Sequence, residues 1–178
     1  IYIVGFVSGP GEITQMGKIF RLVFGARPHQ GVALERLEAV AGVLRNAGIK
    51  VEISDDINRD TFIKWSFISA MACTGAYHEV PMGPLQHPGA ERDTFTGLSK
   101  ESSGIGRKMG ITYVEDPIEY NLKVIDKLDP DSTASMQKDI AKGHESEIQG
   151  LLFDMIALGE KMGVDMPTYC KVAQKFKI

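Results

Sequence analysis

The sequence predicts a mainly α-helical fold with a few β-strands near its beginning. Apolar residues recur with a period near 3.6 in most segments after residue 31, which is typical of amphipathic helices. Apolar runs at residues 1–8 and 18–25 predict strands instead. The 178 residues, of which 43% are hydrophobic and 24% charged, are enough for one domain with a full core.

The first 27 residues are predicted to be two sheet strands, with turn chemistry at Gly9-Pro10-Gly11. Two strands alone are only marginally stable in water, so we expect them to belong to a larger sheet. The chain opens inside an apolar run without a methionine, and we expect it to be part of a longer polypeptide. We therefore divide it into a strand segment, residues 1–27, and a helical domain, residues 28–178.

The helical domain is delimited by Gly, Pro, Asp and Ser residues, which mark helix ends. A short alternating segment at residues 49–53 predicts one more strand. Ser146 and Gln149 match a capping box at the start of a late helix. The predicted helices cover residues 32–47, 57–76, 88–109, 115–128, 135–142, 146–162 and 167–176.

Composition excludes several classes of function. A net charge of −3 and a pI of about 5.8 argue against nucleic acid as the main partner. No apolar run approaches the roughly 20 residues that cross a bilayer. The four histidines show no metal-ligand spacing, so no metal site is predicted. Cys73 and Cys170 lie in apolar helical patterns and are predicted to be buried free thiols, which indicates a reducing cytoplasm.

Lys64 is the first candidate catalytic residue. It is the only charged residue between Asp60 and Glu79, and it shares an apolar helical stripe with Ile68 and Met71. One interpretation is a side chain that extends to the surface from the first turns of its helix. The other is a partly desolvated ammonium that gives a proton to a developing alkoxide. The pattern alone leaves both open.

Three further polar residues stand at predicted helix starts. Glu147 is either a carboxylate stabilised by the helix dipole or a group that binds a substrate hydroxyl or orients a lysine. Ser132 and Ser135 are either N-caps or, with the free N–H groups of a helix N-terminus, a site for a substrate carboxylate. Gly104-Ile105-Gly106 is not a dinucleotide fingerprint, because the third glycine is misplaced and no strand precedes it.

Several motifs in the same order resemble the ketopantoate reductase family. Residues 62–68 (FIKWSFI) and 81–85 (PMGPL) resemble its lysine helix and the glycine-containing turn after it. Residues 135–140 (SMQKDI) and 145–148 (ESEI), with twelve residues from Ser135 to Glu147, resemble its S-M-x-x-D and T-E-I-D signature. Weaker likenesses lie at residues 159–167, 9–11 and 24–25.

This resemblance implies an NADPH-dependent reduction of a 2-keto acid, in the type member 2-dehydropantoate to pantoate on the route to pantothenate. It implies that Lys64 protonates the ketone oxygen, that Glu147 contacts substrate or cofactor, and that Ser135 binds the acid end of the substrate, with Ser132 beside it. It also implies a helical domain like that of 6-phosphogluconate dehydrogenase. The Rossmann domain, which would make most of the contacts with NADPH, is absent from this sequence. Residues 1–27 would be the part of it that remains.

The sequence departs from the family at four polar positions. Ile68, Ala72, Met82 and Ser132 stand where the family has asparagines. Because buried amides that hydrogen-bond a substrate discriminate strongly, these changes leave the substrate open.

We predict part of a 2-keto acid reductase that forms a homodimer and is inactive without its nucleotide domain. The alternatives are a non-catalytic dimerisation or ligand-binding module of a degenerate reductase, and another hydroxyacid dehydrogenase of the same superfamily.

Overall fold

A β-hairpin opens the chain in the computed structural model, which describes residues 2–176, with the side chains of residues 4, 6 and 16–19 left out of that description. Strand β1 (Tyr2–Gly9) pairs antiparallel with strand β2 (Glu12–Phe24). Gly11 lies between them with a φ of +76°, a left-handed conformation that glycine adopts without steric cost. The predicted strands are confirmed, although β2 begins six residues earlier than residue 18.

A crossover connection completes this first sheet. Helix α1 (Leu34–Asn46) leads from β2 to strand β3 (Lys50–Ile53), which pairs parallel to β2, so the strand order is β1-β2-β3. Gly48, with a φ of +81°, follows the end of α1, as predicted for a glycine after a helix. Parallel neighbours require a crossover of this kind.

The chain divides into two units, residues 1–61 and residues 62–178. This division does not coincide with the boundary that we predicted between residues 27 and 28. Helix α1 and strand β3 fall in the first unit, because β3 hydrogen-bonds to β2 and α1 packs on β3. The assignment of residues 1–27 to a nucleotide-binding domain stays a prediction.

The second unit is helical. Helix α2 (Ile57–His78) enters it at Phe62, and Asp56 caps that helix by accepting a hydrogen bond from the Arg59 N–H at 3.1 Å. The other helices are α3 (Ala90–Lys108), α4 (Pro117–Ile125), α5 (Ser135–Ala141), α6 (Asp154–Met162) and α7 (Pro167–Ala173). A short 3₁₀ turn lies at Gly83–Gln86, and the first unit has another at Pro28–Gln30. The mainly α-helical class is confirmed.

The core of the second unit forms around α2. Its buried residues from Ser66 to Ala76 are small, which lets neighbouring helices approach closely. Large apolar side chains from α3, α6 and α7 complete this core: Phe95, Leu98, Ile105, Met155, Tyr169 and Val172. Within residues 2–176, no helix is long and apolar enough to cross a membrane.

Several predictions about helix ends were wrong, including that of α7, which ends at Ala173, three residues before the predicted Phe176. The predicted capping box at Ser146 does not form, because the Gln149 side chain donates to Asp154 Oδ1 at 2.7 Å and no side chain caps that helix start. The helix begins instead with a π-helical turn, Gln149–Phe153, that continues into α6. Helix α4 ends at Ile125, three residues before the predicted end.

Close packing at Gly106 gives a first testable result. A Cβ at this position of α3 would lie 2.0 Å from Tyr113 Oη and 2.8 Å from Phe62 Cε1. We expect Gly106→Ala to lower the free energy of unfolding by about 1–3 kcal/mol, the usual cost of overpacking. Urea unfolding followed by circular dichroism measures it.

Gly104→Ala on the same helix is the matched control. Its Cβ would meet only a Val164 methyl group at 3.3 Å, and we expect a change within about 1 kcal/mol, since alanine also favours the helix. Equal unfolding curves for the two variants would contradict the packing described for Gly106.

Candidate active site

Lys64 lies on the central helix α2, two residues after the buried Phe62, where the second unit begins, and its side chain is partly buried. Ile68, one turn further on, and Met71, two turns on, are also partly buried and pack against the core. Because its neighbours on the same stripe are apolar, Lys64 is less hydrated than a lysine on an open surface.

A second stripe of α2, defined here as the donor stripe, contains Trp65, Ser69 and Cys73, each four residues after the previous one. All three donate hydrogen bonds to two consecutive backbone carbonyls. The Trp65 indole N–H donates to Gly150 O at 3.1 Å, and Cys73 Sγ donates to Leu151 O at 3.6 Å. The Ser69 hydroxyl also donates to Leu151 O. Burial raises the pKa of Cys73 to about 12, which keeps the thiol protonated and able to donate.

The carbonyls of Gly150 and Leu151 belong to the π-helical turn. In this turn the Asp154 N–H reaches back five residues to Gln149 O, whereas the Leu151 N–H donates to Glu147 O at 2.9 Å, four residues back. π-Turns within helices are often found at functional sites. Glu147, whose side chain is exposed, is thus anchored through its backbone to the turn that the donor stripe contacts.

The loop that contains Ser132 and leads to Ser135 is hydrogen-bonded to the segment that follows α2. Backbone hydrogen bonds from Met82 N to Ser132 O, at 3.0 Å, and from Gly83 N to Pro130 O, at 2.8 Å, hold the loop before α5. The Gln137 side chain donates to Val80 O at 3.1 Å and packs on Gly75. Gly75 lies about 16 Å along the helix axis from Lys64, at 1.5 Å per residue, so Gln137 contacts α2 near its C-terminal end.

Neither serine is the N-cap of α5, because Ala134 occupies that position. The Ser132 hydroxyl donates to Asp129 O at 2.6 Å, within its own loop. Ser135 is the first residue of α5, and it is exposed. The N-cap interpretation of these two serines was therefore wrong, whereas their contact with a substrate stays a prediction.

Glu101, a buried carboxylate of α3, was not among the predicted site residues. Its two oxygens accept hydrogen bonds from the Thr168 N–H at 2.7 Å and the Tyr169 N–H at 3.0 Å, the free donors at the start of α7. A negative charge at that helix end is also favoured by the helix dipole. The signal in the sequence was a carboxylate on the apolar stripe of α3 between Leu98 and Ile105.

Tyr169 joins this arrangement to the donor stripe. Its hydroxyl lies 2.7 Å from Ser69 Oγ, and because the Ser69 proton is directed to Leu151 O, Tyr169 is the donor. Burial raises the pKa of Tyr169, so the phenol stays protonated. A chain of hydrogen bonds thus leads from α7 through α2 to the π-turn.

The two cysteines differ in exposure. Cys73 is buried, as predicted, whereas Cys170 is exposed on α7, so its prediction as a buried thiol was wrong. Within residues 2–176, no three His, Cys, Asp or Glu side chains lie together as metal ligands would. Gly104-Ile105-Gly106 lies inside α3, where Gly106 packs against Phe62 and Tyr113.

Comparison with known proteins gives a family match. Residues 56–177 match the model described as the C-terminal part of ketopantoate reductase PanE/ApbA. A curated relative, the uncharacterized oxidoreductase YkpB of Bacillus subtilis (strain 168), is 25% identical over 166 residues, which are 93% of this chain and 54% of the relative.

Solved structures share the fold. The 2-dehydropantoate 2-reductase of Geobacter metallireducens GS-15 has a TM-score of 0.83 at 21% identity, covering 97% of this chain and 57% of the other. A D-mandelate dehydrogenase solved with NADH and anilino(oxo)acetate has a TM-score of 0.80 at 17% identity, covering 97% and 56%. The chain thus spans little more than half the length of these proteins.

Proposed function

Because this chain belongs to the ketopantoate reductase family, as its C-terminal part, we propose that it binds substrate and supplies the proton in an NADPH-dependent 2-keto acid reductase. The observation that carries the proposal is the position of Lys64. It is a partly buried lysine on the central helix, next in sequence to Trp65, which hydrogen-bonds the turn that follows Glu147. The reaction would convert a 2-keto acid, such as 2-dehydropantoate on the route to pantothenate, into a 2-hydroxy acid.

Lys64 would act as the general acid. As the ketone carbon is reduced, negative charge develops on the ketone oxygen, and the ammonium of Lys64 would give that oxygen a proton. The apolar side chains of Ile68 and Met71 on the same stripe support this role, because they limit the water that competes for the ammonium.

Glu147 and Ser135 would position the reactants. The exposed carboxylate of Glu147 can accept hydrogen bonds from a substrate hydroxyl or from the cofactor. The exposed hydroxyl of Ser135 can donate to the acid end of the substrate. Ser132 suits that task less well, since a carboxylate needs donors and the only hydroxyl proton of Ser132 is directed to Asp129 O.

NADPH would be held mainly by a nucleotide-binding domain that this chain does not include. The cofactor supplies the hydride, and the described residues supply no glycine-rich turn between a strand and a helix for its phosphates. Strands β1 and β2 would then belong to the sheet of that domain, and Glu147 would be the residue of this chain that meets the cofactor. The chain alone would be inactive.

A second candidate substrate follows from the residues that stand at the asparagine positions of the family. Ala72 and Met82, which stand where the family has asparagines, are each 1% exposed and packed in the core, and Ile68 replaces a third asparagine. These apolar positions favour a 2-keto acid with an apolar side chain over the hydroxyl-bearing 2-dehydropantoate. The burial of Ala72 and Met82 is equally compatible with a module that binds a ligand without catalysing a reaction.

The test is the oxidation of NADPH by the full-length protein with 2-dehydropantoate and with phenylglyoxylate, an apolar 2-keto acid. We expect turnover with at least one, and a higher kcat/KM for phenylglyoxylate if the apolar positions set the substrate. Isothermal titration calorimetry measures the binding of each acid to the full-length protein. Binding without turnover for either acid would identify the non-catalytic module and contradict the reductase.

Two finer predictions belong to the same proposal. The enzyme would act in the cytoplasm, in agreement with the buried free thiol of Cys73, and it would be a homodimer. The mass of the full-length protein in solution, measured by light scattering, decides the second: twice the chain mass is expected, and a monomer at micromolar concentration would contradict it.

A further inference from the structure

The contact between Trp65 and Gly150 joins the two segments that carry the proposed catalytic residues. Trp65 follows Lys64 directly on α2, and Gly150 lies three residues after Glu147 in the π-turn. The two residues are 85 positions apart in the chain, and the indole N–H donates to the carbonyl at 3.1 Å. Phe62 holds the indole from the other side, edge to face, with ring centroids 5.8 Å apart.

The π-turn makes this contact possible. A π-helical turn shifts the backbone hydrogen bonds by one residue, and here two successive carbonyls, those of Gly150 and Leu151, accept side-chain donors from α2. The Leu151 N–H in turn donates to Glu147 O. The backbone of Glu147 is therefore tied to α2 through one hydrogen bond to Leu151 and through the adjacent contact of Gly150 with Trp65.

We propose that Trp65 is a positioning residue that fixes the Glu147 backbone relative to Lys64 through its hydrogen bond to Gly150 O. Glu147 needs such an anchor because its own side chain is exposed and no side chain caps the helix start after it. Ser69 and Cys73 hold Leu151 O, but neither is next to Lys64. Trp65 thus connects Lys64, the proposed proton donor, to the segment that contains Glu147. This inference rests on the proposed function of Lys64 and Glu147.

Two variants of the full-length protein remove the indole donor. Trp65→Phe removes the N–H and some volume, and replacement of Trp65 by benzothienylalanine removes the N–H alone. We expect each to lower kcat/KM about tenfold, the coupling found between residues of one hydrogen-bond network. Thr74→Val is the matched control, because Thr74 lies on the same helix and its hydroxyl bonds only Ala70 O, at 2.7 Å. Its kcat/KM should be unchanged.

A double-mutant cycle separates positioning from general stability. If Trp65 acts through Glu147, Trp65→Phe combined with Glu147→Gln will be no slower than Glu147→Gln alone. Multiplied losses would overturn the inference, as would a normal kcat/KM for the benzothienylalanine protein. If Glu147→Gln itself has full activity, the proposed role of Glu147 fails, and the positioning role fails with it.

Hydrogen exchange gives a readout that does not require activity. The Leu151 amide, which donates to Glu147 O, should exchange at least about tenfold faster in the benzothienylalanine protein. The Tyr169 amide, held by Glu101, should keep its rate. Unchanged exchange at Leu151 would overturn the inference, whether or not the protein is a reductase. Faster exchange in a protein without reductase activity would support the positioning role of Trp65 and would count only against the proposed reductase function.

Discussion

Lys64→Ala in the full-length protein is expected to lower kcat by about 100- to 10,000-fold, the range that a general acid contributes. The variant lacks the ammonium that we propose gives its proton to the ketone oxygen. The KM for the 2-keto acid should change far less, since Ser135 is assigned to the acid end of the substrate. Steady-state oxidation of NADPH measures both constants.

The control for this prediction is Lys138→Ala. Lys138 is an exposed lysine of α5, and its removal changes the net charge by the same amount. We expect wild-type kcat for Lys138→Ala and a melting temperature within a few degrees of wild type for Lys64→Ala. A Lys64→Ala protein that is folded and turns over at the wild-type rate would remove the proton-donor role.

The largest effect on stability is expected for Glu101→Ala. The change removes the carboxylate that accepts two backbone hydrogen bonds at the start of α7, and it leaves those N–H groups without their acceptor. Hydrogen bonds to a charged group contribute about 1.5–3 kcal/mol each, and removal of the buried charge offsets part of the loss. We therefore expect the free energy of unfolding to fall by about 3 kcal/mol, measured by urea denaturation.

Glu119→Ala is the matched control for Glu101. Glu119 also belongs to a helix, α4, but it is exposed, and we expect a change within about 0.5 kcal/mol. Should Glu101→Ala prove as stable as Glu119→Ala, the capping of α7 by Glu101 contributes little, and the structure's account of that helix start is wrong.

Local patterns in the sequence were sufficient to predict most helices. The apolar pattern of residues 57–76 predicted helix α2, and Gly48, Gly110 and Gly163 directly follow three predicted helices, where the structure has left-handed glycines. Strand β2 was predicted too short, because its first half contains the polar residues Thr14 and Gln15 and gains its structure by pairing with β1. That pairing is not a local property of the sequence.

The candidate site was predictable only in part. Lys64 was identified because it is a single charge on an apolar helix. Glu147 was identified because its motif resembles the signature of the ketopantoate reductase family. The contacts of Trp65 with Gly150 and of Glu101 with α7 join residues 67 or more positions apart, so no period or spacing reveals them. The π-turn was hidden as well, because its apolar residues, Leu151 and Leu152, fit an ordinary α-helix equally well.

Amine rescue of Lys64→Ala in the full-length protein tests the central claim most directly. If Lys64 gives a proton to the ketone oxygen, kcat of the variant should rise with added methylammonium and ethylammonium, and it should depend on the acidity of the amine. Tetramethylammonium carries the same charge without a proton and should have no effect. Equal rates with tetramethylammonium and with the primary amines would contradict the assignment of Lys64 as the proton donor.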